Sequence, residues 1–143
     1  MNIQPLHPNF ICPTRGTDHA GGYDIYMPEA GWVNPNQEEG KMVGLGFAAE
    51  VPVGHVALLL PRSGAGAKHG LSLNNTVGVI DADYRGEWKA CLRVRNGQAL
   101  HWADGERLLQ FVIVPVATPE LQVVPELGST ERGEGGFGST NQV

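Results

Sequence analysis

The chain reads as an all-β protein, and three features of its sequence say so. Apolar residues recur with period two, turn-forming residues separate these stretches at short intervals, and no stretch shows a long amphipathic helical pattern. Such a chain folds as a sandwich, jelly roll or barrel. At 143 residues it suits one domain with a real core. Its 20 glycines and 10 prolines are spread out rather than repeated, so they mark turns and not low complexity.

The first strand signal covers residues 23–27, after Ala20-Gly21-Gly22. Residues 42–50 form the next, beyond a turn at Pro35-Asn36. Pro52-Val53-Gly54 then turns the chain into the apolar run 55–60. Residues 62–70 have room for a single helical turn, and the three glycines there oppose more. Strand signals resume at 76–80. Residues 87–95 are the clearest case: Trp88, Ala90, Leu92 and Val94 are apolar and most of the residues between them are charged. That is a half-buried strand, closed by a turn at Asn96-Gly97. Ala103-Asp104-Gly105 leads into 106–114, and Thr118-Pro119 into 121–124, the last strand expected. No repeat or linker divides the chain. A single domain, 1–143, is expected, with a core over about 1–125 and a C-terminal arm over about 126–143.

The arm has its own composition. Phe137 sits among four glycines, with Arg132 before it and Ser139 and Thr140 after it. Glycine loses more backbone entropy on ordering than any other residue, so this segment needs a ligand to order it. A ring that stacks, a guanidinium that pairs with phosphate and a run of backbone N–H groups suit a lid over a flat anion such as a nucleotide.

A net charge of -5 argues against sequence-independent nucleic-acid binding, which needs a basic surface. It leaves room for a small phosphorylated ligand held by a few arginines. Cys12 and Cys91 have no paired spacing and read as reduced thiols, hence a cytoplasmic protein. Residues 1–10 carry no signal-peptide pattern, and the longest apolar stretches, 56–60 and 108–114, are far short of a membrane span. The five histidines are scattered, without the clustering of a zinc site.

Four segments hold chemistry. Residues 61–70, P-R-S-G-A-G-A-K-H-G, follow an apolar strand; their N–H groups can form an anion nest, with Arg62 and Ser63 adding directed donors. The GK[ST] ending of a phosphate-binding Walker loop is missing, and taken alone the segment reads better as a plain surface turn. Residues 78–87, G-V-I-D-A-D-Y-R-G-E, lie between two strands. Asp81 and Asp83 share one face if the backbone is extended and diverge if it turns. A carboxylate at such a hairpin tip can hold and activate water, and Tyr84 can present its ring to a sugar; a plain turn with a half-buried tyrosine is the alternative. Asp24 opens a strand in A-G-G-Y-D-I, as a turn acceptor or a functional acid. Gln110 places one amide in the apolar strand of G-E-R-L-L-Q-F, for a backbone neighbour or a ligand.

Each segment alone is a modest signal. In order, and followed by R-G-E-G-G-F-G-S-T, they closely resemble the five ordered motifs of the trimeric deoxyuridine triphosphatase (dUTPase) family, over residues 20–140. The resemblance implies a distorted β jelly roll with a flexible C-terminal arm, assembled as a homotrimer. In that family each active site is composite. One subunit gives the first, second and fourth motifs, another the third, and the remaining one the arm. Cyclic closure then makes three equivalent sites.

The resemblance further implies hydrolysis of dUTP to dUMP and pyrophosphate with Mg²⁺, which limits uracil incorporation into DNA and supplies dUMP for thymidylate synthesis. Asp81 would hold the attacking water and contact the 3′-hydroxyl. Tyr84 would pack on the deoxyribose and exclude a 2′-hydroxyl. Backbone around Asn75 and Gly78 would read the uracil edge, too tightly for a 5-methyl group. Arg62, Ser63 and Gly64 would grip the α- and β-phosphates, and Gln110 a phosphate or its water. From the arm, Arg132 would meet phosphate, Phe137 stack over uracil, and Gly138, Ser139 and Thr140 meet the γ-phosphate. No direct protein ligand to the metal is implied; Asp24 would reach its water shell. Two details depart from the common pattern: Asn141 where many relatives have glycine, and Leu108-Leu109 where Ile-Ala is commoner. Neither removes a group the mechanism needs. The rivals are a dCTP deaminase of the same superfamily, disfavoured by the D-A-D-Y spelling and the complete arm, and a protein of this fold with a mainly regulatory, protein-binding role.

Overall fold

A computed structural model describes residues 1–136. Eleven strands and one short helix follow in the order β1 (Ile3–Pro5), β2 (Tyr23–Tyr26), β3 (Gly31–Val33), β4 (Lys41–Gly44), β5 (Phe47–Ala49), β6 (His55–Pro61), α1 (Ser63–His69), β7 (Leu71–Leu73), β8 (Gly78–Ile80), β9 (Lys89–Val94), β10 (Leu100–Trp102) and β11 (Arg107–Pro115). Every strand pair is antiparallel. A four-stranded sheet runs β2-β11-β6-β8 and a three-stranded one β4-β9-β7, with two-stranded ladders β1-β5 and β10-β3. This is the all-β class the alternation predicts, with the jelly roll that the resemblance implies.

The expected strands at 23–27, 55–60, 87–95 and 106–114 correspond to β2, β6, β9 and β11. Trp88, Ala90, Leu92 and Val94 are all buried, as their alternation requires. The core is centred on Trp88. Its ring lies 5.1 Å from Phe47 and, edge-on, 5.1 Å from Phe111. Backbone bonds from Trp88 N–H to Phe47 O and from Leu45 N–H to Trp88 O lock this residue between β4 and β5.

Three expectations need correction. The single strand at 42–50 is two, β4 and β5, because Gly46 turns the chain with φ +76°. The single helical turn in 62–70 is a seven-residue helix. Ala65 is buried, and Gly70 ends the helix at φ +64° with its N–H on the carbonyls of Ala65 and Gly66, so packing and a C-cap override the glycine propensities. The strand at 121–124 does not form: Leu121 and Val123 are 95% and 99% exposed, with no sheet edge beside them. The last sheet-linked bond joins Val116 N–H to Gly54 O. Residues 117–136 contain neither strand nor helix. Of the six three-residue strands, β5 and β8 fall inside the expected stretches 42–50 and 76–80, while β1, β3, β7 and β10 lie outside every expected stretch, too short for period two to register alone.

Candidate active site

Two clusters of the expected residues form on this frame. One surrounds a cavity of about 330 Å³ at the β8 hairpin, lined by Asn75, Gly78, Asp81 and Tyr84 with Leu59 and Trp88 beneath. A second cavity of about 360 Å³ adjoins it and shares Asn75, Gly78 and Leu59. Gly78 pairs with Leu59 across β8 and β6, and a Cβ on Gly78 would lie 2.9 Å from the Leu59 Cβ. Only glycine lets the strands approach this closely there.

The entry to the hairpin is strained. Val77 N–H donates to Asn75 O at 2.8 Å, around Thr76 at φ +71°. This is a γ-turn of the rare positive-φ kind, on a β-branched residue. The Asn75 side-chain amide also donates to Val77 O at 3.0 Å and fixes the turn. Such strain collects at functional sites, where the surrounding structure holds it in place.

Beyond β8 the chain turns rather than continuing extended, and Tyr84 N–H donates to Asp81 O at 3.2 Å. Of the two carboxylates, only Asp81 lines the cavity. Its carboxylate has no hydrogen bond or ion pair among the described residues, which leaves its acceptors for a water. Arg85, to which the sequence assigns no role, ties the turn down. Its Nη1 donates to Ala82 O at 2.8 Å and Tyr84 O at 3.2 Å, and its Nε faces Glu50 at 3.7 Å.

The other cluster lies where β6, β2 and β11 meet α1. Asp24 is only 8% exposed and holds two guanidinium groups. Arg62 Nε approaches Oδ1 at 2.9 Å and Arg107 Nη1 approaches Oδ2 at 3.2 Å. Arg62 also donates to Arg107 O at 3.2 Å. A buried carboxylate between two cations satisfies its charge and fixes the arginines that a phosphate would meet. Sequence reasoning left Arg107 unassigned, although it stands inside the quoted G-E-R-L-L-Q-F. Ser63 and Gly64 are exposed in the first turn of α1, where amide N–H groups have no partner within the helix. Gln110 sits opposite Asp24 in the β2–β11 register and donates to Pro61 O at 3.2 Å. Its Oε1 occupies the space a Cβ on Gly22 would need.

We expect Asp24→Asn to destabilise the fold by about 2–3 kcal/mol in urea unfolding, less than for a fully buried pair because both arginines keep solvent access. The KM for a triphosphate substrate should rise with it; unchanged values of both would remove Asp24 from the role of holding Arg62.

Asp81 of one cluster and Arg62 of the other lie toward opposite ends of β6. Ile80 pairs with Ala57, so Asp81 lies toward the His55 end of β6, while Arg62 follows its other end. From Ala57 to Arg62 is five residues, ~16 Å in extended chain. Arg132 is exposed, and its Nε donates to Gly135 O at 2.8 Å. No hydrogen bond among the described residues joins it to either cluster. Phe137, Gly138, Ser139, Thr140 and Asn141 lie outside the described residues.

The sequence profile of the dUTPase family matches residues 8–141. This chain belongs to the dUTPase family. It is 40% identical to the deoxyuridine 5'-triphosphate nucleotidohydrolase of Nautilia profundicola, over 99% of each chain. The solved dUTPase of Staphylococcus bacteriophage 80alpha with dUPNHPP matches at TM-score 0.86 and 30% identity, over 96% of each chain. A mutant dUTPase of phage phi11 of S. aureus, in which a structural Mg(II) ion is coordinated, matches at TM-score 0.77 and 28% identity, over 87% of this chain and 96% of that one.

Proposed function

We propose that this dUTPase-family protein hydrolyses dUTP to dUMP and pyrophosphate, at sites built between the subunits of a homotrimer. The observation that carries the reading is the division of the chemistry. Asp81, Tyr84, Asn75 and Gly78 line one cavity, with Asp81 toward the His55 end of β6, while the cations suited to phosphate follow its Pro61 end. The α-phosphorus must reach both a water on Asp81 and the Arg62 guanidinium. Within one subunit about five residues of extended chain, ~16 Å, separate them along β6, and bringing one subunit's hairpin to a neighbour's Arg62 cluster would close the gap. Cyclic repetition makes every such site equivalent.

The uracil enters the hairpin cavity, where backbone groups around Asn75 and Gly78 read its edge. In this reading the pocket excludes a 5-methyl group by its fit, and cytosine would leave buried polar groups unpaired. The Tyr84 ring packs on the deoxyribose. Arg62, Ser63, Gly64 and Gln110 hold the phosphates, with Arg62 kept in place by Asp24. Asp81 accepts a proton from the water as its oxygen bonds to the α-phosphorus. The bond from that phosphorus to the bridging oxygen breaks and pyrophosphate departs, in line with the attack. Arg132, Phe137, Gly138, Ser139 and Thr140 of the arm close over the nucleotide and exclude other water.

The donor chemistry fits Mg²⁺ carried on the triphosphate. A carboxylate has about four acceptor positions, and the two arginines leave Asp24 able to accept from a metal-bound water. Bound there, Mg²⁺ would neutralise phosphate charge as it develops on the leaving group.

The test is product analysis with Mg²⁺ and dUTP, dCTP, dTTP or UTP. Pyrophosphate from dUTP alone, without ammonia, is expected. Ammonia from dCTP would instead establish the deaminase. In the same assay Tyr84→Ala should narrow the preference for dUTP over UTP about tenfold or more; unchanged discrimination would place sugar selection elsewhere.

A further inference from the structure

The Tyr84 ring owes its place in the cavity wall to its neighbour two residues on. Tyr84 is 44% exposed, so no core packing fixes it. Its hydroxyl donates to Glu87 O at 3.0 Å, and the ring crosses directly over Gly86. A Cβ on Gly86 would lie 2.6 Å from the Tyr84 Cζ and 3.0 Å from Cε2, and nearer still to the hydroxyl. No other group lies as close to that position. The Gly86 backbone is outside the left-handed region, so nothing in its conformation demands glycine. What demands glycine is the phenol above it.

The far side of this seat is also built. The Glu87 carboxylate accepts from Gly46 N–H at 3.1 Å, and it fills the space a side chain on Gly44 would need. Glu87, whose carbonyl anchors the tyrosine hydroxyl, is therefore pinned to the β4–β5 turn.

We propose that Gly86 is a positioning residue for sugar selection, acting through Tyr84. Resting on the dUTPase reading above, this assigns the missing Cβ the task of seating the ring against the deoxyribose. A single methyl group at position 86 lifts the ring from its seat. Because the displaced atoms are the free end of an exposed side chain, the fold tolerates the change.

The experiment compares kcat/KM for dUTP and UTP in wild type, Gly86→Ala, Tyr84→Ala and the double variant, with thermal unfolding of each. In Gly86→Ala the dUTP-to-UTP ratio should fall about tenfold or more, with the UTP value rising, while the unfolding midpoint stays within about 2 °C of wild type. Adding Gly86→Ala to Tyr84→Ala should change the ratio by less than about twofold, because the ring it displaces is already gone. Three results would overturn the inference: an unchanged ratio in Gly86→Ala, equal loss for both nucleotides, or additive effects in the double variant. Wild-type protein that does not hydrolyse dUTP would overturn the functional reading and this inference with it. Wild-type protein that discriminates normally, beside an indifferent Gly86→Ala, would overturn the inference alone.

Discussion

Asp81→Asn should leave dUTP binding close to wild type and lower kcat by about 10²-fold or more, the usual scale for a positioned general base. The substitution keeps size and shape. It touches no internal partner, because the Asp81 carboxylate is bonded to nothing among the described residues and the turn is closed by the Asp81 backbone oxygen. The amide can still accept a bond from the water but cannot take its proton. The loss should therefore appear in kcat and leave KM nearly alone, as for an interaction that matters only in the transition state. Titration calorimetry with a non-hydrolysable dUTP analogue separates the two effects. Near-normal turnover would release Asp81 from this role, and lost affinity with lost turnover would point to a binding role instead.

Removing residues 131–143 should give a folded protein of unchanged oligomeric state with about 10²-fold or more loss of kcat/KM. The described part of this segment is largely exposed, and its hydrogen bonds are local: Gly133 N–H to Thr130, and Arg132 to Gly135 O. Its described residues bury no apolar side chain, so the unfolding midpoint should stay within about 2 °C of the full chain. Sedimentation that shows dissociation, or a large drop in midpoint, would make the arm part of the scaffold. Full activity would deny it any role over the nucleotide.

What the sequence discloses is uneven, for physical reasons. Strand β9 is legible because one of its faces is buried, and Trp88-x-Ala90-x-Leu92-x-Val94 spells that face directly. The turns at Gly54, Gly97 and Gly105 are legible because each takes a positive φ that glycine adopts without strain. Helix α1 is understated because its stability comes from burying Ala65 and from the Gly70 cap, not from its own propensity. Leu121 and Val123 look like strand residues, but a strand needs a partner, and that lies outside any local window. The site divides the same way. The cavity residues Asn75, Gly78, Asp81 and Tyr84 fall within one hairpin and can be read as a group. The bond between Asp24 and Arg107 spans 83 positions and depends on the β2–β11 register, so Asp24 could be singled out while its second arginine could not. The Gly86 seat beneath Tyr84 is a matter of where one ring lies in space.

Hydrolysis of dUTP by the purified protein in ¹⁸O-labelled water, with Mg²⁺, tests the central claim most directly. Water held by Asp81 and delivered to the α-phosphorus must put the label in dUMP and none in pyrophosphate. Label in pyrophosphate would mean attack at the β-phosphorus, and label in inorganic phosphate attack at the γ-phosphorus. Either of these, or a protein that releases no dUMP, would contradict the account.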